Sequence, residues 1–468
     1  MRAGRIARGV LGLAIGLAGC TAQPRAQRDV VIFLIDTLRA DHTGSYGRWP
    51  SPTPFLDQLA AESILFEQAY APAPWTLPST VSLLTSQPLC QHRVAVDGDV
   101  ISAETVPLAE RMAASGRRTA SLFANPFAGS MSGLDRGFDV SRLVPAVDGE
   151  RVGRWLDSIG DRPFFLYAHN IEPHDPYHGG VRGISLRRLE RINGLLDRYR
   201  ELTRVDWLAG RPLGTTRNEA QQDAQRRELA ALHAPIEKLY DGDVRRADGR
   251  LADVVSELRR RGRLENTVLI VVADHGEALG EHDGWQHDHA LYEEVVRVPL
   301  LIRLPGAAHG GLRIAEPVSL LDVAPTLAEL LGEPELAEGA AGRSLVPWIE
   351  GRGAGDEPPR VVSTRWNRKK YYAPLETTRG NLNVALREGP WKAIWNADSD
   401  TLELYDLARD PRERNDRSRE EPERAHRLAE LARAEAAPCQ AARPAPTRPP
   451  ELDPAARRRL RELGYLDE

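Results

Sequence analysis

Three runs of apolar, strand-forming residues in this chain stop abruptly at side chains that hold metals or protons. Val30–Ile35 ends in Asp36, Val268–Ala273 ends in Asp274 and His275, and Phe164–Ala168 runs into His169, Glu172 and His174. Open α/β sheets build their sites at the carboxyl ends of the strands, and carboxylate and imidazole are ligands for divalent cations. The three segments are far apart in sequence, so only parallel neighbours in one sheet bring their ends to a common rim. Between the first and third lies Pro74-Trp75-Thr76-Leu77-Pro78-Ser79-Thr80, a hydroxyl-bearing turn that opens a helix. Together these segments read as a metallohydrolase site.

The rest of the pattern agrees with such a sheet. Strands at Thr119–Ala124 and Val298–Leu304 join the three above, and helices are expected near Pro54–Glu62, Thr76–Thr85, Val106–Ser115 and Pro235–Arg260. Alternation of buried strands with amphipathic helices implies a mostly parallel central sheet flanked by helices. Asp322 is placed to cap a further helix. Residues 179–235 break the rhythm with Leu186, Leu189, Ile192, Leu195 and Leu196 at helical spacing and no strand signal, an insertion that packs on the sheet edge, covers the site as a lid, or does both. A Gly/Pro/acidic linker at Gly353–Pro359 then separates a catalytic domain, 29–357, from a small C-terminal α+β subdomain with a helical tail, 358–468. Short strands are expected there at Leu382–Leu386 and Trp391–Trp395. The tail carries a Pro-rich stretch at Ala441–Pro450 and ends in Leu460-Arg461-Glu462-Leu463-Gly464-Tyr465-Leu466.

The amino terminus carries Arg2, Arg5 and Arg8, then an apolar stretch from Val10 to Ala18. That is the layout of a secretory signal, residues 1–19, and the apolar run is shorter than the roughly 20 residues that span a bilayer. Leu17-Ala18-Gly19-Cys20 resembles the bacterial lipobox, which makes Cys20 the lipidated first residue, residues 20–28 a tether, and the location the bacterial cell envelope, on its periplasmic or extracytoplasmic face. Membrane contact is then through a lipid anchor. A formal net charge of -5 with 28% charged residues gives no bulk attraction to nucleic acid. Apart from Cys20, only Cys90 and Cys439 remain, and export leaves both a disulfide and two separate thiols open.

Asp36, Asp274 and His275 form a ligand set for a divalent metal ion. The imidazole favours zinc or manganese over calcium or magnesium. Such an ion neutralises an oxyanion and lowers the pKa of a nearby hydroxyl, for which Thr76 is the candidate. His174 and His287 are candidates for contacts to the oxygens of the transferred group. Asp175 and His178 leave a second metal conceivable, although one fits the motifs better.

Further segments make a resemblance specific. Asp36-Thr37-Leu38-Arg39-Ala40-Asp41-His42, Thr53-Pro54-Phe55-Leu56-Asp57, Pro74-Trp75-Thr76-Leu77-Pro78-Ser79, Pro173-His174-Asp175-Pro176-Tyr177, Tyr240-Asp241 with Asp243 and Asp248, Asp274-His275-Gly276-Glu277 and Leu404-Tyr405-Asp406-Leu407 resemble the sulfatase family of the alkaline phosphatase superfamily. The resemblance implies an alkaline-phosphatase-like α/β fold and ester hydrolysis of small-molecule, lipid or glycan substrates. It makes Asp36, Asp274 and His275 metal ligands, places Thr76 at the nucleophile position with its hydroxyl on the metal, and sets His174 and His287 against the substrate.

Three departures accompany it. The family hallmark is Cys or Ser, any residue, Pro, Ser, Arg, with the first residue oxidised to formylglycine; here Thr76 and Thr80 stand first and last. Oxidised threonine would be a ketone, so formylglycine is not expected. A Gly-Lys-aromatic-His stretch expected after Gly116 is missing, with Asn125 near its place as a substrate-binding candidate, and Thr37 replaces the second aspartate of an Asp-Asp pair. Threonine nucleophiles in the superfamily are associated with phosphodiesterases and phosphotransferases. The expectation is therefore a hydrolase or transferase that prefers phosphate esters, with a true sulfatase and a non-catalytic binding relative as alternatives.

Overall fold

The computed structural model describes residues 27–179, 219–353, 359–367, 381–441 and 453–463, with scattered positions between 187 and 212. The leader 1–19, Cys20, Leu186, Leu189, Ile192, Leu196 and most of the Ala441–Pro450 stretch lie outside the described residues. Among the described residues, no helix is long and apolar enough to cross a membrane.

Eight strands form the central sheet: β1 Asp29–Ile35, β2 Ile64–Tyr70, β3 Arg118–Phe123, β4 Val140–Leu143, β5 Phe164–Asn170, β6 Thr267–Val272, β7 Arg297–Arg303 and β8 Arg313–Ser319. Their order across the sheet is β8-β2-β7-β6-β1-β5-β3-β4. Every residue of β1, β5 and β6 is buried, which is what a parallel strand covered on both faces requires. β1 pairs in parallel with both β5 and β6, so their carboxyl ends lie side by side. Only β7 runs against its neighbours β6 and β2. After β6 the chain builds its loop 273–296 at the carboxyl edge, and β7 begins from that same edge. A return without a crossover has to be antiparallel.

β2, β4 and β8 are additions to the sequence expectation, and all lie toward the margins of the sheet. β2 interrupts its apolar run with half-buried Glu67 and Gln68, β8 contains Pro317, and β4 presents no buried residue. Margin strands need only one apolar face, and proline is tolerated where a backbone donor has no partner to meet.

The flanking helices are α1 Pro54–Ala61, α2 Thr76–Thr85, α3 Leu89–His92, α4 Leu108–Ala114, α5 Gly149–Ile159, α6 Glu219–Arg260 and α7 Val323–Leu331. Three expectations need correction. The helix expected from Pro235 begins at Glu219 and continues through Pro235, and the insertion is not wholly helical, since Val205–Asp206 pairs with Arg211–Pro212. Asp322 does not cap α7 with its side chain; its carboxylate accepts from the Ser319 and Arg343 amides and closes the preceding turn.

Several motif residues fix the frame. Asp248 on α6 accepts from the Phe55 and Leu56 amides at 2.9 and 2.8 Å, satisfying donors in the first turn of α1. Tyr240 donates to the Thr37 carbonyl at 2.6 Å and accepts from the Arg39 amide at 2.9 Å, pinning the turn after Asp36.

The C-terminal sheet is an antiparallel meander of β9 Arg360–Asn367, β10 Asn381–Glu388, β11 Trp391–Asn396 and β12 Thr401–Asp406, with α8 Pro422–Gln440 packed on it. Cys439 of α8 is disulfide-bonded to Cys90 of α3 across 349 positions of sequence, resolving the pairing that the sequence left open. Beneath the sheet, buried Lys392 bridges Glu293 at 3.0 Å and Glu413 at 2.8 Å. The last helix, α9 Pro454–Glu462, returns to the central sheet, where Leu460 is fully buried.

Candidate active site

The parallel register explains how four distant side chains meet. Leu34 pairs with His169, and the Asp36 amide continues the ladder to the Asn170 carbonyl at 2.8 Å. Asp36 therefore leaves β1 two residues beyond the level of His169 on the adjacent strand, and His169 Nε2 lies 3.4 Å from Asp36 Oδ2. Asp274 and His275 follow β6 on the other side of β1. One oxygen or nitrogen from each of Asp36, Asp274 and His275 lies within 4.8 Å of the others, and all three residues are buried. Thr76 opens α2 against this group. Its Oγ1 lies 3.3 Å from Asp36 Oδ2 and 3.3 Å from His275 Nε2.

Charge balance is the site's main peculiarity. Asp36 Oδ1 and Asp274 Oδ2 are buried and meet no hydrogen-bond donor of the protein. Burial and the nearby charge of Asp36 push the Asp274 carboxyl far above the usual range. Against the same effect of burial, His169, His174 and His275 hold Asp36 well below it. Burial brings His275 down to about 3, so its imidazole is neutral and its Nε2 has a lone pair to give. His275 Nδ1 is meanwhile 2.9 Å from the Gly276 carbonyl, the second contact that orients a metal-binding imidazole. Two facing carboxylates, a neutral imidazole and orphaned oxygens fit a divalent cation. Among the described residues this is the one such cluster, and Asp175 and His178 are not part of it: Asp175 accepts from Gln286 at 3.1 Å, and the His178 amide is bound to Asp243.

The other candidates surround that group. Asn125 Nδ2 donates to Asp36 Oδ2 at 3.0 Å and to Thr76 Oγ1 at 3.3 Å, directly beside the candidate nucleophile. His174 and His287 stand with ring centroids 5.0 Å apart, and His287 is 4.5 Å from His275. Glu277 Oε1 is 3.0 Å from His287 Nδ1 and, against the effect of burial, raises the pKa of that ring. Burial lowers that of His174.

The departures from the hallmark have visible consequences. Thr80 folds its hydroxyl back onto the Thr76 carbonyl at 2.7 Å, and Thr37, at a φ of 59°, donates its hydroxyl to the Asp36 carbonyl at 2.7 Å. Ser79 donates to the Asp274 carbonyl at 2.6 Å and ties α2 to β6. Gly276 is obligatory, because a Cβ there would stand 2.2 Å from the Glu294 carbonyl oxygen.

His169 stands at one of the strand ends that the sequence brings to the rim but was given no role there, and Glu277 was not placed among the site residues. His169 was signalled by its position at the end of an apolar strand. Glu277 had only its adjacency to Asp274-His275-Gly276, and its contact with His287 depends on the fold of the hairpin between them.

The sulfatase family profile matches residues 28–138 and 150–333, spanning the carboxyl ends of β1, β5 and β6. The chain belongs to the sulfatase family. This is a group of ester hydrolases within the alkaline phosphatase superfamily, and the C-terminal profile of N-sulphoglucosamine sulphohydrolase matches residues 280–434 of this sulfatase-family chain. A choline-sulfatase of Rhizobium meliloti is 30% identical over 276 residues, 56% of this chain and 48% of that one, so the match spans about half the relative's length. A delta 4,5-hexuronate-2-O-sulfatase of Bacteroides thetaiotaomicron is 25% identical over 432 residues, covering 86% of this chain and 87% of the relative. The crystal structure of the phosphonate monoester hydrolase of Agrobacterium radiobacter shares the fold with a TM-score of 0.66, 19% identity, and coverage of 88% of this chain and 96% of that one.

Proposed function

We propose that the protein is a divalent-metal-dependent ester hydrolase that uses Thr76 as its nucleophile and prefers phosphate or phosphonate esters to sulfate esters. The observation that carries this reading is the Thr76 hydroxyl, 3.3 Å from both Asp36 Oδ2 and His275 Nε2 at the opening of α2. A cation held by Asp36, Asp274 and His275 supplies, when bound, the charge that makes a neighbouring hydroxyl nucleophilic near neutral pH. Zinc or manganese suits the imidazole in the donor set best.

The chain's own residues divide the remaining work. Asn125 holds Thr76 Oγ1 and Asp36 in register, and the free amides at the start of α2 favour an anionic group. His174 and His287 face the transferred group, and Glu277 orients His287 so that its second ring nitrogen can pass a proton to the departing alcohol. As the Thr76 Oγ–P bond forms, the hydroxyl proton is lost to solvent and the bond from phosphorus to that alcohol breaks; water then attacks phosphorus and returns a proton to His287, the Oγ–P bond breaks, and Thr76 regains its proton from solvent.

The preference for phosphate arises at the second step, release of the transferred group. A formylglycine hydrate expels sulfate by collapsing to its aldehyde, whereas Thr76 has no such route and needs displacement at the transferred atom, which phosphorus readily undergoes. Sulfate-ester hydrolysis is the second reading, supported by the sulfatase relatives. The lipobox-like Leu17-Ala18-Gly19-Cys20 supports a lipid-anchored location in the bacterial envelope, and Cys20→Ser is expected to leave the membrane fraction.

Acid quench during turnover of an aryl phosphodiester or aryl phosphonate tests the nucleophile. A phosphoryl or phosphonyl adduct on Thr76, absent together with turnover in Thr76→Ala and partly retained in Thr76→Ser, is the expected result. Faster turnover of an aryl sulfate than of every phosphorus ester would reverse the preference, and full activity of Thr76→Ala would remove the nucleophile.

A further inference from the structure

The C-terminal helix α9 and Leu463 after it meet the active-site rim at the two turns that carry Asn125 and His174. In α9, Arg459 Nε donates to the Ala124 carbonyl at 3.1 Å, immediately before Asn125, while its Nη1 pairs with Glu462 at 2.9 Å. Leu463 packs against Ala124 and Ile171, and Leu460 is fully buried in the main core. Ile171 belongs to the turn whose carbonyl accepts from the His174 amide at 3.1 Å. The same turn and the Asn125 turn are already neighbours, because the Ala124 amide donates to the His169 carbonyl at 3.0 Å.

A helix this polar has little reason of its own to leave solvent. It carries Arg457, Arg458, Arg459 and Arg461 within nine residues, and its docking depends on two leucines and one guanidinium contact. Its anchoring points are not the sheet interior alone. Two of the three bear on turns that follow β3 and β5, where a small shift displaces Asn125 from Thr76 Oγ1.

We propose that α9 is a strap over the rim of the site, with Arg459 and Leu463 as positioning residues for Asn125 and for the Ile171–His174 turn. This rests on the reading of Thr76 and Asn125 given above, but its first consequence is independent of any reaction. In the full chain carrying Arg459→Ala and Leu463→Ala, amide hydrogen exchange should accelerate at residues 124–129 and 171–174 and stay unchanged in β1 and β6.

The kinetic consequence is a fall in kcat of about tenfold with KM nearly unchanged, since the strap touches the aligned groups and no part of the substrate. Arg459→Lys should recover part of the loss. In an Asn125→Ala background, Arg459→Ala should cause little further fall, because its effect passes through Asn125. Exchange that speeds up uniformly across the sheet, or remains unchanged at the two turns, overturns the strap. Localised loosening in a protein that turns over no ester in any form supports the strap on exchange alone and rejects the reaction reading instead.

Discussion

At the carboxyl edge of the central sheet, Asp36 Oδ1 and Asp274 Oδ2 are buried with no donor of the protein beside them. At the seam beneath the C-terminal sheet, buried Lys392 is held by Glu293 and Glu413, and His282 sits between Glu294 at 2.7 Å and the Glu413 carbonyl at 3.0 Å, its ring stacked on Tyr292. Both regions bury several charges, and burial alone does not distinguish them. The seam neutralises its charges internally, which makes it a structural joint between two sheets. The rim sets two carboxyls face to face, and both can be ionised there only with a cation from outside. Unbalanced burial is therefore the better marker of function, and it can be tested by unbalancing one region and balancing the other.

The largest effect is expected at the rim. His275→Ala should remove the neutral nitrogen donor, lower metal content, and cut turnover by about 10³-fold while leaving the unfolding midpoint of the metal-free protein nearly unchanged. Elemental analysis of the folded variant, together with its rate, checks this, and full occupancy with full rate would move the site elsewhere.

The seam should respond through stability instead. Lys392→Ala leaves Glu293 and Glu413 facing each other in the interior and should cost about 3–5 kcal/mol of stability, while turnover per folded molecule changes little. Urea unfolding gives the first quantity and active-site titration the second. A stable but inactive variant would mean that the seam takes part in the chemistry.

Balancing the rim should stabilise it. Asp274→Asn removes the charge that Asp36 disfavours, so the metal-free protein should gain about 1–2 kcal/mol even as it loses metal affinity. Chelator-treated samples compared by thermal unfolding decide this. A loss of stability would show that Asp274 is held by contacts other than a cation.

The smallest effect is a pH dependence at the seam. Against the effect of burial, Glu294 and the Glu413 carbonyl push the pKa of His282 up to about 9 from the ordinary 6.5. A raised histidine contributes its full stability below the ordinary value and loses it as pH rises through about 9. Between pH 6.5 and 9 the wild-type chain should lose about 1 kcal/mol more than His282→Gln, after allowance for solvent at this half-buried ring. Parallel curves for the two proteins would show that the pair is not charged in the fold.

The same contrast explains which residues were legible in the sequence. Asp36, Asp274 and His275 were legible because each ends an uninterrupted apolar run, and a buried strand that stops at a charge has few structural reasons to do so. β2 and β8 were not, since Glu67, Gln68 and Pro317 dilute their pattern at positions where only one face is covered. Lys392 and Glu413 carry no local sign of burial at all; each reads as a surface residue until the partner strand and the Glu293 turn are brought beneath it.

Sequence by itself determined the core of the central α/β sheet, the three ligand candidates at its rim and the placement of Thr76 at the start of a helix, because strand period, abrupt polar endings and helix-opening turns are local properties of the chain. Tertiary structure decided the antiparallel course of β7, the pairing of Cys90 with Cys439, the contact of Glu277 with His287 and the docking of Arg459 on Ala124. Each of these joins residues whose own neighbourhoods contain no trace of the other. Their proximity is fixed by the burial of the whole core, and a pattern read a few residues at a time does not contain that term.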